Sequence, residues 1–237
     1  MEKILNYQAS FFGSFSNIKF TQENLTKYTS VYKDFSVNAV PITAIDVRTN
    51  KLITDNRIQL VSKDKQYYIT ILPERIDFSY NLIQGNPEII DFNQLKTQLS
   101  RFIEIFSKIE EGKGNRLANS CNFLSKPYSG QDILNEIKRY SSPDSFFDDE
   151  VENLVEWQLR ENNRNKYTIN SLEEENNNIV SLALVIESET SYRFLGTIDI
   201  NTNPRNVNQR FSLPQLIEYV EQSSKQMNNC IKKINHE

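Results

Sequence analysis

Between Arg57 and Gly114 the apolar pattern changes period once, and that change limits what the chain can fold into. Ile58 and Leu60 alternate with polar residues, Lys63, Asp64 and Lys65 interrupt, and Tyr67, Ile69 and Ile71 alternate again. After Pro73, Ile76, Phe78 and Tyr80 repeat the alternation. A period of two places these side chains on one face of three successive strands. Short polar turns between them favour antiparallel pairing. Tyr67 and Tyr68 must then point to opposite faces, one into the core and the other onto the sheet surface. From Phe92 the spacing shifts to threes and fours through Leu95, Leu99, Phe102, Ile103, Phe106 and Ile109. That is one stripe of a long helix. Asp91 and Gln94 have capping-box spacing at its start, and Gly112 or Gly114 can close it.

Upstream, residues 4–20 read as an extended opening strand with a bend at Gly13. Thr21 is placed to cap a helix carrying Leu25, Tyr28, Val31, Tyr32 and Phe35 on one face. Val40 to Val47 reads as an edge strand starting at Pro41, with turns at Thr49–Lys51 and Thr54–Asn56. Downstream the order recurs. Arg116–Leu124 reads as a strand, and Ser129 caps a helix with Ile133, Leu134, Ile137 and Tyr140. Strands follow around residues 157–160, 167–172, 179–187 and 192–200, with strongly polar loops expected at 161–166 and 174–178. Ser212 and Gln215 frame a capping box with Pro214 in the first turn of a closing helix that carries Leu216, Val220, Met227 and Ile231. An acidic helical segment near 143–157 has no counterpart in the first half.

The expected fold is therefore α+β, with antiparallel sheets packed by long amphipathic helices. The chain reads as a strand–helix–strands–helix pseudo-repeat with halves 1–114 and 115–237, as two units or as one compact domain.

Composition excludes several function classes. Acidic residues outnumber basic ones 31 to 27, net charge is −4, and no basic run occurs, so a nucleic-acid partner is not expected. Six glycines leave no Gly-rich phosphate loop. No stretch approaches the ~20 apolar residues that span a membrane, and the first residues lack a signal core, so no membrane role is expected and the cytoplasm is the expected location. Cys121 and Cys230 stand far apart and are expected reduced. The abundance of Asn, Lys and Ile suggests an AT-rich coding genome, as in low-GC bacteria and their phages.

The run Arg57–Asn81, the aromatic-led helix from Phe92, Asn115-Arg116-Leu117, and Leu195–Ile200 with Asp199 before a final helix follow one another in an order that resembles a sporadically distributed family of uncharacterised bacterial proteins of about 250 residues. Members often carry a His in the last helix, which this chain lacks. The resemblance implies a fold and no activity.

No catalytic constellation, metal site or cofactor motif emerges. His236 is the lone histidine and sits next to the C-terminus, where a catalytic role depends on a frayed tail. Asp199, Glu187 and Asp77 are the carboxylates a metal-dependent nuclease or phosphoryl-transfer enzyme would use, but no Lys lies close to positions 187 or 199. The segment Asp144 to Glu152 is different. Asp144, Asp148, Asp149, Glu150 and Glu152 surround Phe146 and Phe147, and this composition suits docking to a basic protein. An exposed helix start would account for the same acids. The leading expectation is a non-enzymatic protein-binding or inhibitory protein of a bacterium or phage, in a setting such as host–phage conflict, with a protein partner and self-association open. The alternatives are the metal-dependent enzyme and a chaperone-like binder of extended peptides on an aromatic sheet face.

Overall fold

The computed structural model describes residues 3–46, 51–82, 91–140 and 156–236. In chain order these form β1 (Lys3–Gly13), α1 (Gln22–Val31), β2 (Phe35–Asp46), β3 (Lys51–Ser62), β4 (Tyr67–Ile71), β5 (Arg75–Asn81) and α2 (Phe92–Phe106). Then come β6 (Lys113–Leu124), α3 (Gly130–Tyr140), β7 (Gln158–Ile169), β8 (Leu172–Ser188), β9 (Ser191–Thr202), β10 (Phe211–Ser212) and α4 (Gln215–Asn235). The fold is α+β, but the strands make one sheet and not several. Its order is β2-β3-β4-β5-β1-β6-β9-β8-β7, with β10 added beside β6. Every pairing is antiparallel.

Strands β1 and β6 lie at the centre. β1 and β6 pair along their lengths, from Lys3 with Leu124 to Gly13 with Gly114. On one side of this seam stands the meander β2 to β5, on the other β7 to β9. Gly114 is needed at the seam's end, because a Cβ there would lie 2.5 Å from the Phe12 carbonyl oxygen and 2.6 Å from the Phe11 ring.

The four helices among the described residues pack on one face. Tyr7 of β1 meets Phe92 of α2, Asn119 of β6 donates to Ser223 and Ser224 of α4, and Tyr167 of β7 packs on Tyr219. α1 lies beside α2 through Tyr28 on Phe106 and Tyr32 on Phe102, and α3 lies against β9 through Tyr140 on Phe194. The stripe read from sequence on α2 is the buried one: Leu95, Leu99, Phe102, Ile103 and Phe106 are at most 3% exposed. Each such side chain contributes roughly 1.5–3 kcal/mol of burial. Asp91 and Gln94 form the reciprocal capping box. Tyr67 is in the core and Tyr68 on the far face, half-buried.

Several expectations need correction. β1 stops at Gly13, where its register against β6 shifts, and residues 14–20 form a loop whose Phe15 and Ile18 turn inward. Thr54–Asn56 is not a turn but the middle of β3, paired with Pro41–Thr43 of the edge strand β2. Helix α2 closes at Ser107 in right-handed conformation, and neither Gly112 nor Gly114 caps it. The polar runs 161–166 and 174–178 are not loops. They pair with each other in the continuous hairpin β7–β8, which reverses at Asn170 and Ser171 with φ of 45° and 65°. Cross-strand pairs hold the run: Arg164 with Glu175 at 3.1 Å and Lys166 with Glu173 at 2.5 Å. At α4, the Gln215 side chain accepts from the Ser212 N–H, but the Ser212 hydroxyl also donates to Gln215, so only half of the box forms.

Candidate functional site

Among the described residues, no helix lies on the face opposite α1 to α4. Nine strands at ~4.8 Å spacing make it roughly 40 Å across, and at ~3.3 Å per residue the 11- and 12-residue central strands β1 and β6 make it about 36–40 Å deep at its middle. Pleating fixes which side chains reach it. One cross-strand row reads Gln59, Thr70, Asp77, Ser10, Ala118, Asn201. The next reads Tyr68, Ser79, Gln8, Ser120, Asp199, Ile179. Short polar groups dominate, and Ser10, Asp77 and Asn201 among them are at most 6% exposed, so this face holds a buried polar row and forms no apolar slot.

A third row, Arg75, Phe12, Arg116, stands out in its chemistry. The Arg116 guanidinium carbon lies 4.4 Å from the Phe12 ring centroid and that of Arg75 lies 5.7 Å away. Such cation–π contacts are worth about 0.5–1 kcal/mol at exposed sites. The two arginines differ. Arg75 donates through Nε to Asp77 Oδ2 at 2.8 Å, and Asp77 Oδ1 accepts from the Ser10 hydroxyl at 2.6 Å. Gln8 extends that chain by donating to Ser10 Oγ at 3.0 Å. Arg116 forms no ion pair among the described residues, and its buried Nε has no acceptor. It is a preset cation facing outward beside an aromatic ring, the combination found at interface hot spots.

Both sheet edges hinder strand addition. Pro41 interrupts the outer N–H row of β2, and β7 carries Arg160, Glu161, Arg164 and Lys166 along its length.

The carboxylates singled out in the sequence do not converge. Asp199 pairs across with Ile179, eight residues along β8 from Glu187, about 26 Å at strand rise. Asp77 shares the face with Asp199 but is three strands away, about 14 Å. Glu187 instead binds Arg193 at 2.8 Å, and that bond holds its carboxyl below the usual range, with help from Ser191. Among the described residues, no cluster of three or more His, Cys, Asp or Glu is arranged to hold a metal ion. Both cysteines are free thiols; burial pushes Cys121 up to about 12 and raises Cys230 as well, so neither is poised as a thiolate. His236 is not on a frayed tail. It ends α4 in left-handed conformation and docks on Glu136 and Arg139 of α3.

Asp144, Phe146, Phe147, Asp148, Asp149, Glu150 and Glu152 lie outside the described residues. What sequence reading missed was the arginine–aromatic row, because its three members come from β5, β1 and β6 and meet only through strand register. Among the described residues no helix is long and apolar enough to cross a membrane. Comparison with protein-family models, curated proteins and solved structures finds no match.

Proposed function

We propose that this chain is a non-enzymatic protein-binding protein of a bacterium or phage, and that the sheet face opposite the four described helices is its principal docking surface. The observation that carries this reading is the face itself: among the described residues, a broad polar sheet surface with no helix over it and an Arg116 that stacks on Phe12 and forms no ion pair. A face roughly 40 Å across and about 36 Å deep at its middle has room for the ~800 Å² that each partner contributes to a standard protein interface. It is far larger than a small substrate needs. The acidic segment 144–152 supplies a second contact in this reading, and host–phage conflict is the setting its coding composition suggests. Membership of the sporadically distributed bacterial family belongs to the same proposal. So does descent of the halves 1–114 and 115–237 from one strand–helix–strands–helix unit, which the central β1–β6 seam and the flanking meanders support.

The test is affinity capture from the native host with three forms of the protein. Ser120→Arg with Thr197→Arg places two bulky cations on the face, at half-buried and exposed positions. A second form reverses Asp148, Asp149 and Glu150. The expected result is loss of the captured partner with the first form and weakening with the second, while both unfold like wild type. A partner retained by both variants would sink the proposal.

A further inference from the structure

The two halves cover their outer strands differently on the helix side. In the first half, Tyr28 of α1 and Tyr32 at its C-cap pack against Phe106 and Phe102 of α2 and fill the space over the sheet. In the second half α3 sits over β9 instead, with Tyr128 and Tyr140 on Phe194. A cavity of about 410 Å³ remains between α4, the end of α3 and strands β7 to β9. Val180, Leu182, Ile198 and Ile200 form an apolar floor.

We propose that this cavity binds a small amphipathic organic anion that carries a hydrogen-bond donor. The volume falls in the range of small-molecule sites, which are mostly apolar with a few placed polar groups. Three such groups define the ligand. Asn178 is 4% exposed; its Nδ2 donates to Asn163 Oδ1 at 3.0 Å, while its own Oδ1 has no donor. A buried acceptor left unmet is costly, and a ligand N–H or O–H satisfies it. Lys233 of α4 lines the cavity and forms no ion pair among the described residues, whereas Arg139 is already engaged by Glu136 and His236. Glu161 lies on the β7 side and accepts from Asn163 at 3.3 Å. The cation on α4 and the carboxylate on β7 therefore orient the ligand: acidic group toward Lys233, apolar body over Val180 and Leu182, donor toward Asn178.

The probe is 8-anilinonaphthalene-1-sulfonate, which has an apolar body, one N–H and one anionic group. Its uncharged relative N-phenyl-1-naphthylamine keeps the first two. Titration of the full chain should give one saturable fluorescent site for each. Lys233→Glu should weaken the sulfonate at least about tenfold and leave the uncharged probe unchanged. Asn178→Leu should weaken both, and Val180→Trp, which fills the floor, should abolish both. Lys225→Glu, in the separate α2–α4 cleft, should alter neither. A readout on the unmutated protein guards against misfolded variants: Cys230 lines the cavity, so saturation with the sulfonate should slow its alkylation by iodoacetamide. Absence of a saturable site, equal effects of Lys233→Glu on both probes, or alkylation of Cys230 at the same rate with and without probe would each overturn the proposal.

Discussion

Replacing Arg210 with Met tests how the polar part of the core is held. Arg210 and Glu174 form a nearly buried bidentate pair, with side chains 12% and 9% exposed. Nε reaches Oε1 at 2.5 Å and Nη2 reaches Oε2 at 2.9 Å. Nη1 donates to the carbonyls of Asn206 and Asn208 at 3.0 and 3.2 Å and to that of Asn115. One guanidinium thus ties β8, the start of β6 and the turn before β10. Arg210→Met leaves a carboxylate without its counter-charge in a site water hardly reaches, which costs about 3–5 kcal/mol. Glu174→Gln keeps Arg210 on three carbonyls and one amide oxygen, and loses about 1.5–3 kcal/mol of charge-assisted bonding. The double variant strands no carboxylate, so its cost should fall short of the sum by about 2 kcal/mol. Equilibrium unfolding in urea measures all three, followed by fluorescence of Trp157, the single tryptophan, which packs on Phe194. An Arg210→Met cost below about 1 kcal/mol, or a cycle additive within about 0.5 kcal/mol, would refute the argument.

Gly196→Ala should destabilise by about 1–3 kcal/mol, because its Cβ would stand 2.2 Å from ring atoms of Phe123, which is fully buried. Adding Phe123→Leu should recover part of the loss in Tm. Burial raises the hydroxyl pKa of Tyr7, Tyr28, Tyr32 and Tyr219. Below about pH 10 both folded and unfolded chains keep these protons, so they impose no pH dependence. Above it the unfolded chain ionises first, and stability should fall by about 1.4 kcal/mol per pH unit for each such tyrosine. Urea midpoints at rising alkaline pH check this; a flat profile would contradict it. Cys121, 1% exposed with its thiol pushed up to about 12, should resist iodoacetamide in the native protein and react on unfolding. Equal native reactivity of both cysteines would count against that packing.

The parts of the fold legible in sequence are those where one face is dry and the other wet. Ile58 to Tyr80 alternates because its strands turn most of their apolar side chains to the helix side, and Phe92 to Phe106 repeats in threes and fours because one stripe of α2 meets the sheet. Where both sides are polar the pattern vanishes. Glu161 to Lys166 looked like a loop because β7 is an edge strand held by ion pairs and by bonds such as Asn165 to Gln226 of α4, which leave no apolar signature. Thr54 to Asn56 misled for a related reason: in β3 beyond Arg57 there is no β4 residue alongside, so turn-forming residues are tolerated within a ladder. The candidate site was illegible for another cause. Phe12, Arg75 and Arg116 are far apart in the chain, and only the β5–β1–β6 register aligns them.

The central β1–β6 seam also sets the order in which the protein can be made. During synthesis, residues up to Asn81 can assemble the meander with β1 on its rim before β6 has left the ribosome. Until then β1 displays a free row of backbone groups beside Ala9 and Phe11, both fully buried in the finished sheet. Such a rim is a template for wrong pairing, including with the same rim on a neighbouring nascent chain. Translation speed between codons 82 and 124 therefore governs how long the chain stays vulnerable, and slowing it there should raise the aggregated fraction without changing the stability of molecules that finish folding.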